Sequence, residues 1–380
     1  MRITMIGTLP PIKGISEYCI EQVQALSKYI SIRFINFKHI YPRMLYPLDP
    51  EERDTVFRLK DTSSINIDTR LKWYDIICTI RTGLGIDTKI VHFQWWTSFL
   101  FIVFFPLILF AKLRKRKVVC TVHNVVSHES NLVDRLISRT MMLLPDRFIV
   151  HSNTNMSQLE QIMNISPSRI EVIPIGSYDF YLDEVISKKD AREFLRIDEK
   201  SRVILFFGHI REYKGIDTLI EAVNILKNRI DNFKCIIAGK NWIDWGKYEG
   251  MIKNYQLEDF FDLHLRYIPS SEIKYFFFGS DVVVLPYRHF HSQSGAGNVA
   301  LAFHKALIVS NVGGLPDLVK DRSVIFEPGD HRALAETLLN VLNDSGYLQK
   351  LERDSVDISF RNGWDGIARK TIELYKDLLR

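Results

Sequence analysis

The chain has 380 residues, of which 46% are hydrophobic and 25% are charged. This composition is typical of a globular protein, and the length exceeds that of one ordinary domain, so two domains are predicted. A net charge of +5 does not predict a nucleic-acid partner. The four cysteines lack metal-binding or CxxC spacing, which is typical of small buried side chains in a reducing, cytoplasmic compartment.

The first half of the chain predicts an α/β domain. Arg2–Gly7 is an apolar strand, a loop with Gly14 and Ile15 follows, and an amphipathic helix runs from about Glu17 to Lys28. This opening lacks GxGxxG, so a dinucleotide is not indicated. Residues 38–70 have no clear pattern. Further strands are predicted at Ser31–Phe37, Ile90–Trp96, Val118–Val122, Asp146–Val150 and Ile170–Ile175.

Histidines accompany three of these strands. His92, His123 and His151 are each expected near a carboxyl end. Ligands of open α/β sheets bind at that edge. A single histidine at a strand end is more often structural than catalytic, but three on one edge favour a ligand site.

One segment departs from the average composition. Phe99–Ala111 is almost entirely apolar, and Lys112–Lys117 contains five basic residues in six positions. The apolar run is shorter than the ~20 residues that span a bilayer. Two interpretations stay open, a core helix followed by a solvated turn, or a helix in the interface of an anionic membrane. The second predicts a peripheral location on the inner face of the cell membrane.

The second half starts a new series of strands and helices. Residues 177–201 are predicted to hold the linker and a first helix. Strands are expected at Arg202–Phe207, Phe233–Ala238 and Phe261–Leu265, with a helix at Ile216–Leu226 after the first. Two such series predict two Rossmann-like domains with a cleft between them.

The stretch from Asp281 to Pro316 predicts one βαβ unit. It contains a strand at Val282–Leu285, small residues at Ser294–Gly297, a helix from Asn298 to Lys305 and a strand at Ala306–Ser310. Backbone N–H groups at a helix start can face an anion, so the stretch is a candidate diphosphate site. An ordinary βα loop is also rich in glycine and serine.

The same residues suggest a second class of enzyme. Gly295–Ala300 fits GxGxxA, which would indicate a nucleotide-dependent oxidoreductase. A long loop separates the motif from its strand, and no acidic residue for ribose binding follows about 20 residues later. These departures disfavour the oxidoreductase.

Gly14, the stretch FFGHIREYKGIDTLIEA and the later VSNVGGLPDLV together resemble retaining glycosyltransferases of family 4, the group 1 glycosyltransferases. The resemblance covers nearly the whole chain and is weakest at residues 38–85. It implies the α/β GT-B fold, two Rossmann-like domains facing across a cleft. An acceptor domain would span residues 1–178 and a donor domain residues 179–363, with a helix at about 364–380 crossing back onto the first.

The resemblance implies transfer of a sugar from a nucleotide-diphosphate sugar, with retention, to a hydroxyl of a glycan, polysaccharide or lipid-linked acceptor. No cofactor is implied, and no metal is indicated because Asp-x-Asp does not occur. Arg211 and Lys214 are expected to clamp the departing phosphates, and His123 matches a histidine near the transferred sugar. Gly14 would close over the phosphates and the loop 266–268 would meet the base. The donor-binding candidates are Gly14, Ile15, Gly208, Arg266, Tyr267, Ile268, Tyr287, Gln293, Ser294, Gly295 and Ala296.

The sequence departs from the family at two carboxylates. Many members carry Glu, seven residues and a second Glu, and these positions fall on His291 and Val299. The chain instead resembles a subgroup with Gln-Ser-Gly here and Ala-x-Ala-Phe ahead of the lysine. Gln293 and Ser294 are the expected substitutes for the sugar contact. A non-catalytic sugar-nucleotide-binding protein of the same fold is the alternative.

Overall fold

The computed structural model describes residues 1–9, 12, 15–40, 63–125, 132–182, 184–290 and 292–380, without the side chains of residues 132, 133 and 135. The chain divides into two compact units. The first unit comprises Met1–Gly176 and Asn362–Arg380, and the second comprises Ser177–Arg361.

Within the described residues, the first unit contains a seven-stranded parallel sheet. Its strands are β1 (Arg2–Gly7), β2 (Ser31–His39), β3 (Ile65–Lys72), β4 (Ile90–Trp95), β5 (Lys117–Val122), β6 (Arg147–Val150) and β7 (Ile170–Val172). They lie in the order β3-β2-β1-β4-β5-β6-β7. The helices between them are α1 (Ser16–Ser27), α2 (Ile76–Leu84), α3 (Phe101–Leu113), α4 (Leu132–Met142) and α5 (Asn153–Met163). Two hydrophobic clusters cover the strands, one including the buried side chains of α3 and the other those of α1.

The second unit repeats this architecture on a six-stranded parallel sheet of described residues. Its strands are β8 (Arg202–Phe207), β9 (Phe233–Ala238), β10 (Phe261–His264), β11 (Val282–Leu285), β12 (Ala306–Ser310) and β13 (Ile325–Phe326), in the order β10-β9-β8-β11-β12-β13. Its helices are α6 (Lys188–Leu195), α7 (Ile216–Leu226), α8 (Gly246–Asn254), α9 (Ser270–Gly279), α10 (Gly295–Ala302), α11 (His331–Asn343) and α12 (Ser345–Arg361).

The C-terminal helix α13 (Trp364–Leu379) belongs to the first unit, where it packs against α1. Ile367, Ile372 and Tyr375 of α13 are buried in the same cluster as Ile20 and Val23 of α1. The helix is therefore part of the first hydrophobic core although it follows the second unit in sequence.

Most predicted strands are found within a few residues of their expected limits, but β3 and the two-residue β13 were missed. β3 lies mostly within residues that were expected to be irregular. It was not predicted because Ile65 and Leu71 are its only buried residues, so its sequence shows no apolar pattern. An edge strand paired on one side needs little apolar surface, so its sequence lacks the usual alternation. Residues 41–62 of the same unassigned segment lie outside the described residues.

Candidate functional site

The carboxyl end of β8 leads into the loop that carries the predicted phosphate clamp. A turn at Glu212–Lys214 ends at Gly215, whose φ of 68° favours glycine. A Cβ on Gly215 would also lie 1.9 Å from the carbonyl oxygen of Pro286. Gly215 thus allows the Arg211–Lys214 turn to lie directly against the segment that follows β11.

Lys214 is buried among aromatic rings. Its Nζ lies 3.6 Å from the ring centroid of Tyr287, 5.3 Å from that of Tyr213 and 5.4 Å from that of Phe290. Burial and then the nearby Arg211 lower the pKa of Lys214 to about 7. The ammonium is therefore poorly compensated in the ligand-free protein, and an anion placed beside it would favour the charged form.

Tyr287 connects this lysine to the start of α10. Its hydroxyl lies 2.9 Å from Ser294 Oγ, which caps α10 by accepting a hydrogen bond from the backbone N–H of Gly297 at 3.3 Å. The N–H groups of Gly295 and Ala296 fall in the first turn, where no intrahelical carbonyl is available to them. The lysine, the tyrosine and the helix start thus form one assembly.

The glycine after β8 adjoins the same helix start. Gly208 has a φ of 122°, and a Cβ built on it would lie 3.6 Å from the Ala296 side chain. Arg211, three residues further on, is exposed. The structure therefore brings Gly208 to the first turn of α10 and places Lys214 beside Tyr287 within one unit.

Arg211 shares an indole ring with a second cation. Its guanidinium carbon lies 5.2 Å from the ring centroid of Trp242, and Lys240 Nζ lies 4.8 Å from it. Trp242 Nε1–H donates to His209 Nδ1 at 3.0 Å. The loops after β8 and β9 are also joined by backbone hydrogen bonds, from Ile210 N to the Lys240 carbonyl and from Trp242 N to the Ile210 carbonyl. Lys240 and Trp242 are hence additional candidates beside the predicted clamp.

An ion pair between the exposed Arg288 and the buried Asp217 fixes the segment after β11. Arg288 contacts the Asp217 carboxylate through both Nε, at 3.1 Å, and Nη2, at 2.9 Å. Asp217 lies in the first turn of α7, directly after the clamp turn. This two-point contact holds the backbone next to Tyr287, and Arg288 N also donates to the Tyr213 carbonyl.

The other predicted donor residues have varied surroundings. Arg266 pairs with Glu272, Tyr267 is half-buried and Ile268 is buried, all just beyond β10. Gln293 is buried, and Val299 is buried inside α10. Gly14 and His291 lie outside the described residues, and Ile15 belongs to the first unit, as does His123.

In the first unit, His123 directly follows β5 and is buried. Its Nδ1 lies 3.3 Å from His151 Nε2, and His151 Nδ1 lies 2.9 Å from the Ile173 carbonyl oxygen. Burial lowers the pKa of both histidines, that of His151 to about 4. With neutral rings, the Ile173 carbonyl requires the His151 proton on Nδ1, so His151 Nε2 accepts from His123 Nδ1–H.

This tautomer leaves His123 Nε2 as an acceptor, 2.9 Å from the Gln94 side-chain amide. The Gln94 amide continues to that of Gln22 at 2.8 Å, and Gln22 reaches the Tyr18 hydroxyl at 3.0 Å. The atom placed beside His123 Nε2 is Gln94 Oε1, which would put two acceptors together. Turning over the amides of both Gln94 and Gln22 removes this conflict: Gln94 then donates to His123, Gln22 donates to Gln94, and the Tyr18 hydroxyl donates to Gln22. The position of His123 is thus set by a continuous buried hydrogen-bond chain.

The expectation that His92 ends a strand is wrong. His92 lies inside β4, where its Nδ1 contacts the Tyr375 hydroxyl at 2.5 Å and its Nε2 contacts Thr121 Oγ1 at 2.7 Å. Burial lowers the pKa of His92 to about 3. This histidine links β4, β5 and α13 as a neutral structural residue, and only His123 and His151 come directly after strands.

Two family models match parts of this chain. Residues 187–355 match the model "Glycosyl transferases group 1", and residues 67–176 match "Glycosyltransferase Family 4". The first match lies within the second unit and the second match lies within the first unit. An uncharacterized glycosyltransferase of Methanocaldococcus jannaschii is 28% identical over 57% of this chain and 56% of its own length. A D-inositol 3-phosphate glycosyltransferase of Corynebacterium glutamicum is 25% identical over 64% of this chain and 60% of its own. The chain therefore covers less than two thirds of either relative.

A solved structure of the Anabaena protein Alr3699/HepE in complex with UDP is also similar. It aligns with a TM-score of 0.76 and 15% identity over 99% of this chain and 100% of its own. The same Anabaena protein has been solved with UDP-glucose. This likeness and the two Rossmann-like units confirm the predicted GT-B fold class.

Sequence reasoning missed several residues around the candidate site. Trp242 and Lys240 follow β9, whereas Arg211 follows β8. They come together because β8 and β9 are adjacent in the sheet. The run Gly239-Lys240 at the end of a predicted strand was the available signal. Nothing in the sequence marked Gln94 as a site residue, because it lies inside β4 and its role depends on contact with the ring of His123.

Proposed function

We propose that this protein is a retaining glycosyltransferase that moves a sugar from a nucleotide-diphosphate sugar to a hydroxyl of a glycan, polysaccharide or lipid-linked acceptor. The observation that carries the proposal is the assembly of Lys214, Tyr287 and Ser294 at the start of α10. It places a buried amine and a helix N-terminus at one sheet edge, with Arg211 on the same turn as the amine.

The chemistry of the donor explains why cations are needed there. When the bond between the sugar and the diphosphate breaks, negative charge grows on the leaving phosphate. Arg211 can hold two phosphate oxygens at once through its planar guanidinium, and Lys214 supplies a compact charge. The first-turn amides of α10 add hydrogen bonds that stabilise the same anion.

Retention follows if the acceptor hydroxyl approaches from the face that the diphosphate leaves. The anomeric carbon loses its bond to the phosphate oxygen and gains one to the acceptor oxygen, and a phosphate oxygen of the leaving group takes the acceptor proton. The protein then supplies position and charge. His123, neutral and fixed by His151 and Gln94, is the proposed residue beside the transferred sugar.

The acceptor is proposed to be presented at the cytoplasmic face of a membrane. The support is the apolar helix α3 and the five basic residues within Lys112–Lys117. No helix in the described ranges has the length and hydropathy to cross a bilayer. A peripheral contact is therefore the form of membrane association that the proposal uses.

A thermal-shift panel tests the donor. UDP, GDP, ADP and TDP, each with its sugars, are added to the full chain, and a matching ligand at 100 times its Kd is expected to stabilise it by ~2.7 kcal/mol. UDP is included first because the Anabaena protein was solved with it. Arg211→Ala and Lys214→Ala should abolish this shift, whereas Lys253→Ala, on the exposed surface of α8, should not.

Donor turnover separates the enzyme from its alternative. Release of the nucleoside diphosphate from the donor, with or without a glycan acceptor, should be lost in Arg211→Ala. A chain that binds one sugar nucleotide tightly and never breaks it would be the non-catalytic binding protein, and the enzymatic proposal would then be wrong.

A further inference from the structure

Helix α2 buries two threonines and a glycine and exposes three of its apolar side chains. Thr79, Thr82 and Gly83 are buried, whereas Ile76 is 55% exposed, Ile77 65% and Leu84 47%. A helix on the surface of a globular protein normally shows the opposite arrangement. The exposed isoleucines and leucine are thus the feature that needs an explanation.

The buried face of α2 is compatible with this orientation. Thr79 Oγ1 donates to the Asp75 carbonyl at 3.0 Å and Thr82 Oγ1 donates to the Cys78 carbonyl at 2.7 Å, so neither hydroxyl lacks a partner. At Gly83, a Cβ would lie 3.0 Å from the ring of Phe110 in α3. The small residue lets the two helices approach closely, so the inverted orientation is a packed arrangement.

The neighbouring helices also expose apolar rows. On α3, Ile102, Leu109 and Leu113 are exposed, and their spacing of seven and four residues places them on one helix face. Leu136 on α4 and Leu143 just beyond its end are similarly exposed and seven residues apart. Because α3 contacts both α2 and α4, the three rows lie on adjacent helices. These rows are called the apolar face below.

Basic residues accompany the apolar face. Arg81 is exposed on α2, and Arg114 and Lys115 are exposed at the end of α3. The Arg114 guanidinium reaches the Leu84 carbonyl, so this charge lies where α2 and α3 meet. Neither helix contains an acidic residue. Tyr74, two residues before α2, is 56% exposed, and an aromatic ring with a polar hydroxyl is suited to a boundary between apolar and aqueous surroundings.

We propose that the apolar face enters the headgroup region of an anionic lipid bilayer, with α2 contributing inserted side chains. Charge complementarity favours this occupant, since the basic residues match anionic headgroups. A second copy of the chain is disfavoured, because a two-fold contact through this face would bring its basic residues near their equivalents. The inference concerns a surface separate from the donor site and does not depend on sugar transfer.

Sedimentation with vesicles tests the contribution of α2. The full chain is mixed with vesicles of phosphatidylcholine alone or with added phosphatidylglycerol. The triple variant Ile76→Ser, Ile77→Ser, Leu84→Ser should bind the anionic vesicles roughly tenfold more weakly than the unchanged chain, since it loses inserted apolar surface and keeps its charge. The matched control changes three exposed apolar residues of the second unit, Val185→Ser, Val356→Ser and Phe360→Ser, and should bind as the unchanged chain does.

A single reporter shows whether α2 enters the lipid. Ile77→Trp should shift its fluorescence to the blue and be quenched by brominated lipid on anionic vesicles, whereas Val185→Trp should show neither change. Vesicle binding of the α2 triple variant equal to that of the unchanged chain would overturn the proposal. So would a dimer that the triple variant converts to a monomer, since this identifies a second copy as the occupant.

Measuring donor binding in the same variant separates the membrane proposal from the proposed sugar transfer. The α2 triple variant should show the same nucleotide-induced thermal shift as the unchanged chain. A loss of vesicle binding with this shift intact supports the membrane contact whatever reaction the donor site performs.

Discussion

Lys214 combines two requirements that oppose each other. Burial and the nearby Arg211 destabilise the charged form of the Lys214 amine, and the proposed reaction needs that charge beside a phosphate. Free of ligand, the lysine is about half protonated near neutral pH, because its pKa is lowered to about 7. Binding of a diphosphate is therefore expected to draw a proton onto this residue.

Lys214→Met should stabilise the folded protein and weaken donor binding. Between pH 7 and 10.5 the lysine is protonated in the unfolded chain and neutral in the folded one, so the stability of the fold decreases as the pH is lowered. Below pH 7 the folded lysine is charged, and the burial of this charge destabilises the fold. Removing the amine should therefore raise the Tm at pH 6 while weakening donor binding at least about tenfold. Calorimetry at pH 6 and nucleotide titration check both outcomes, and a lower Tm without ligand would contradict the destabilised amine.

His151 is predicted to position His123. His151→Ala removes the acceptor of His123 Nδ1–H and leaves the His123 tautomer undetermined, so kcat should fall about tenfold with little change in the KM for the donor. His151→Gln, whose side-chain oxygen can accept the same hydrogen bond, should recover part of the loss. Equal effects of the two variants, or a change confined to KM, would argue against a positioning role.

Elements with dense apolar runs were predictable from the sequence. β8, β9 and β12 have the expected limits, since their residues are mostly apolar and a glycine or an asparagine follows each of them. The start of α10 was placed three residues too late. Glycines at 295 and 297 indicate a loop when only propensity is considered, but the Ser294 cap begins the helix at Gly295.

The candidate site was partly predictable for the same reason. Arg211 and Lys214 share one loop, so their spacing is visible in the chain. The contact of Arg211 with Trp242, and that of Tyr287 with both Lys214 and Ser294, depend on strand order and on side-chain direction. Such contacts between separate elements carry no local signal.

Two glycine substitutions compare a constrained turn with an open helix position. Gly215→Ala must adopt a φ of 68° and place its Cβ against the Pro286 carbonyl, so it should destabilise the second unit by roughly 2 kcal/mol or more and weaken donor binding. Gly250→Ala, in α8 with no atom within 4 Å of the new Cβ, should stabilise by about 0.5–1 kcal/mol. Thermal unfolding of both variants provides the check, and a neutral Gly215→Ala would contradict the close contact.

Across the whole molecule, buried ionisable groups differ between the two units. The first unit holds His92, His123 and His151 neutral, with pKa values lowered by burial, to about 3 for His92 and about 4 for His151. The second unit holds Lys214 and Lys305, with pKa values lowered by burial to about 7 and about 8. The units should therefore respond to pH in different ranges.

Acid should destabilise the first unit before the second. An unfolded histidine binds a proton near pH 6.5, whereas these folded histidines stay neutral until far lower pH. Between pH 6.5 and about 4 the unfolded state holds more protons than the folded state. The free energy of unfolding therefore decreases as the pH is lowered, by up to about 1.4 kcal/mol per pH unit for each histidine. Hydrogen exchange at pH 7 and 5 should show loss of protection in β4, β5 and α13 and little loss in β8, β9 and α7.

His92→Gln should reduce this acid sensitivity, because one buried neutral imidazole is removed, and His331→Gln on the second unit should leave it unchanged. If His92→Gln unfolds the first unit at neutral pH, the pH profile of the unchanged chain still decides the matter. Equal loss of protection in both units between pH 7 and 5 would mean that the histidine network does not control acid stability, since the second unit, within its described residues, contains no equivalent of the His92, His123 and His151 set.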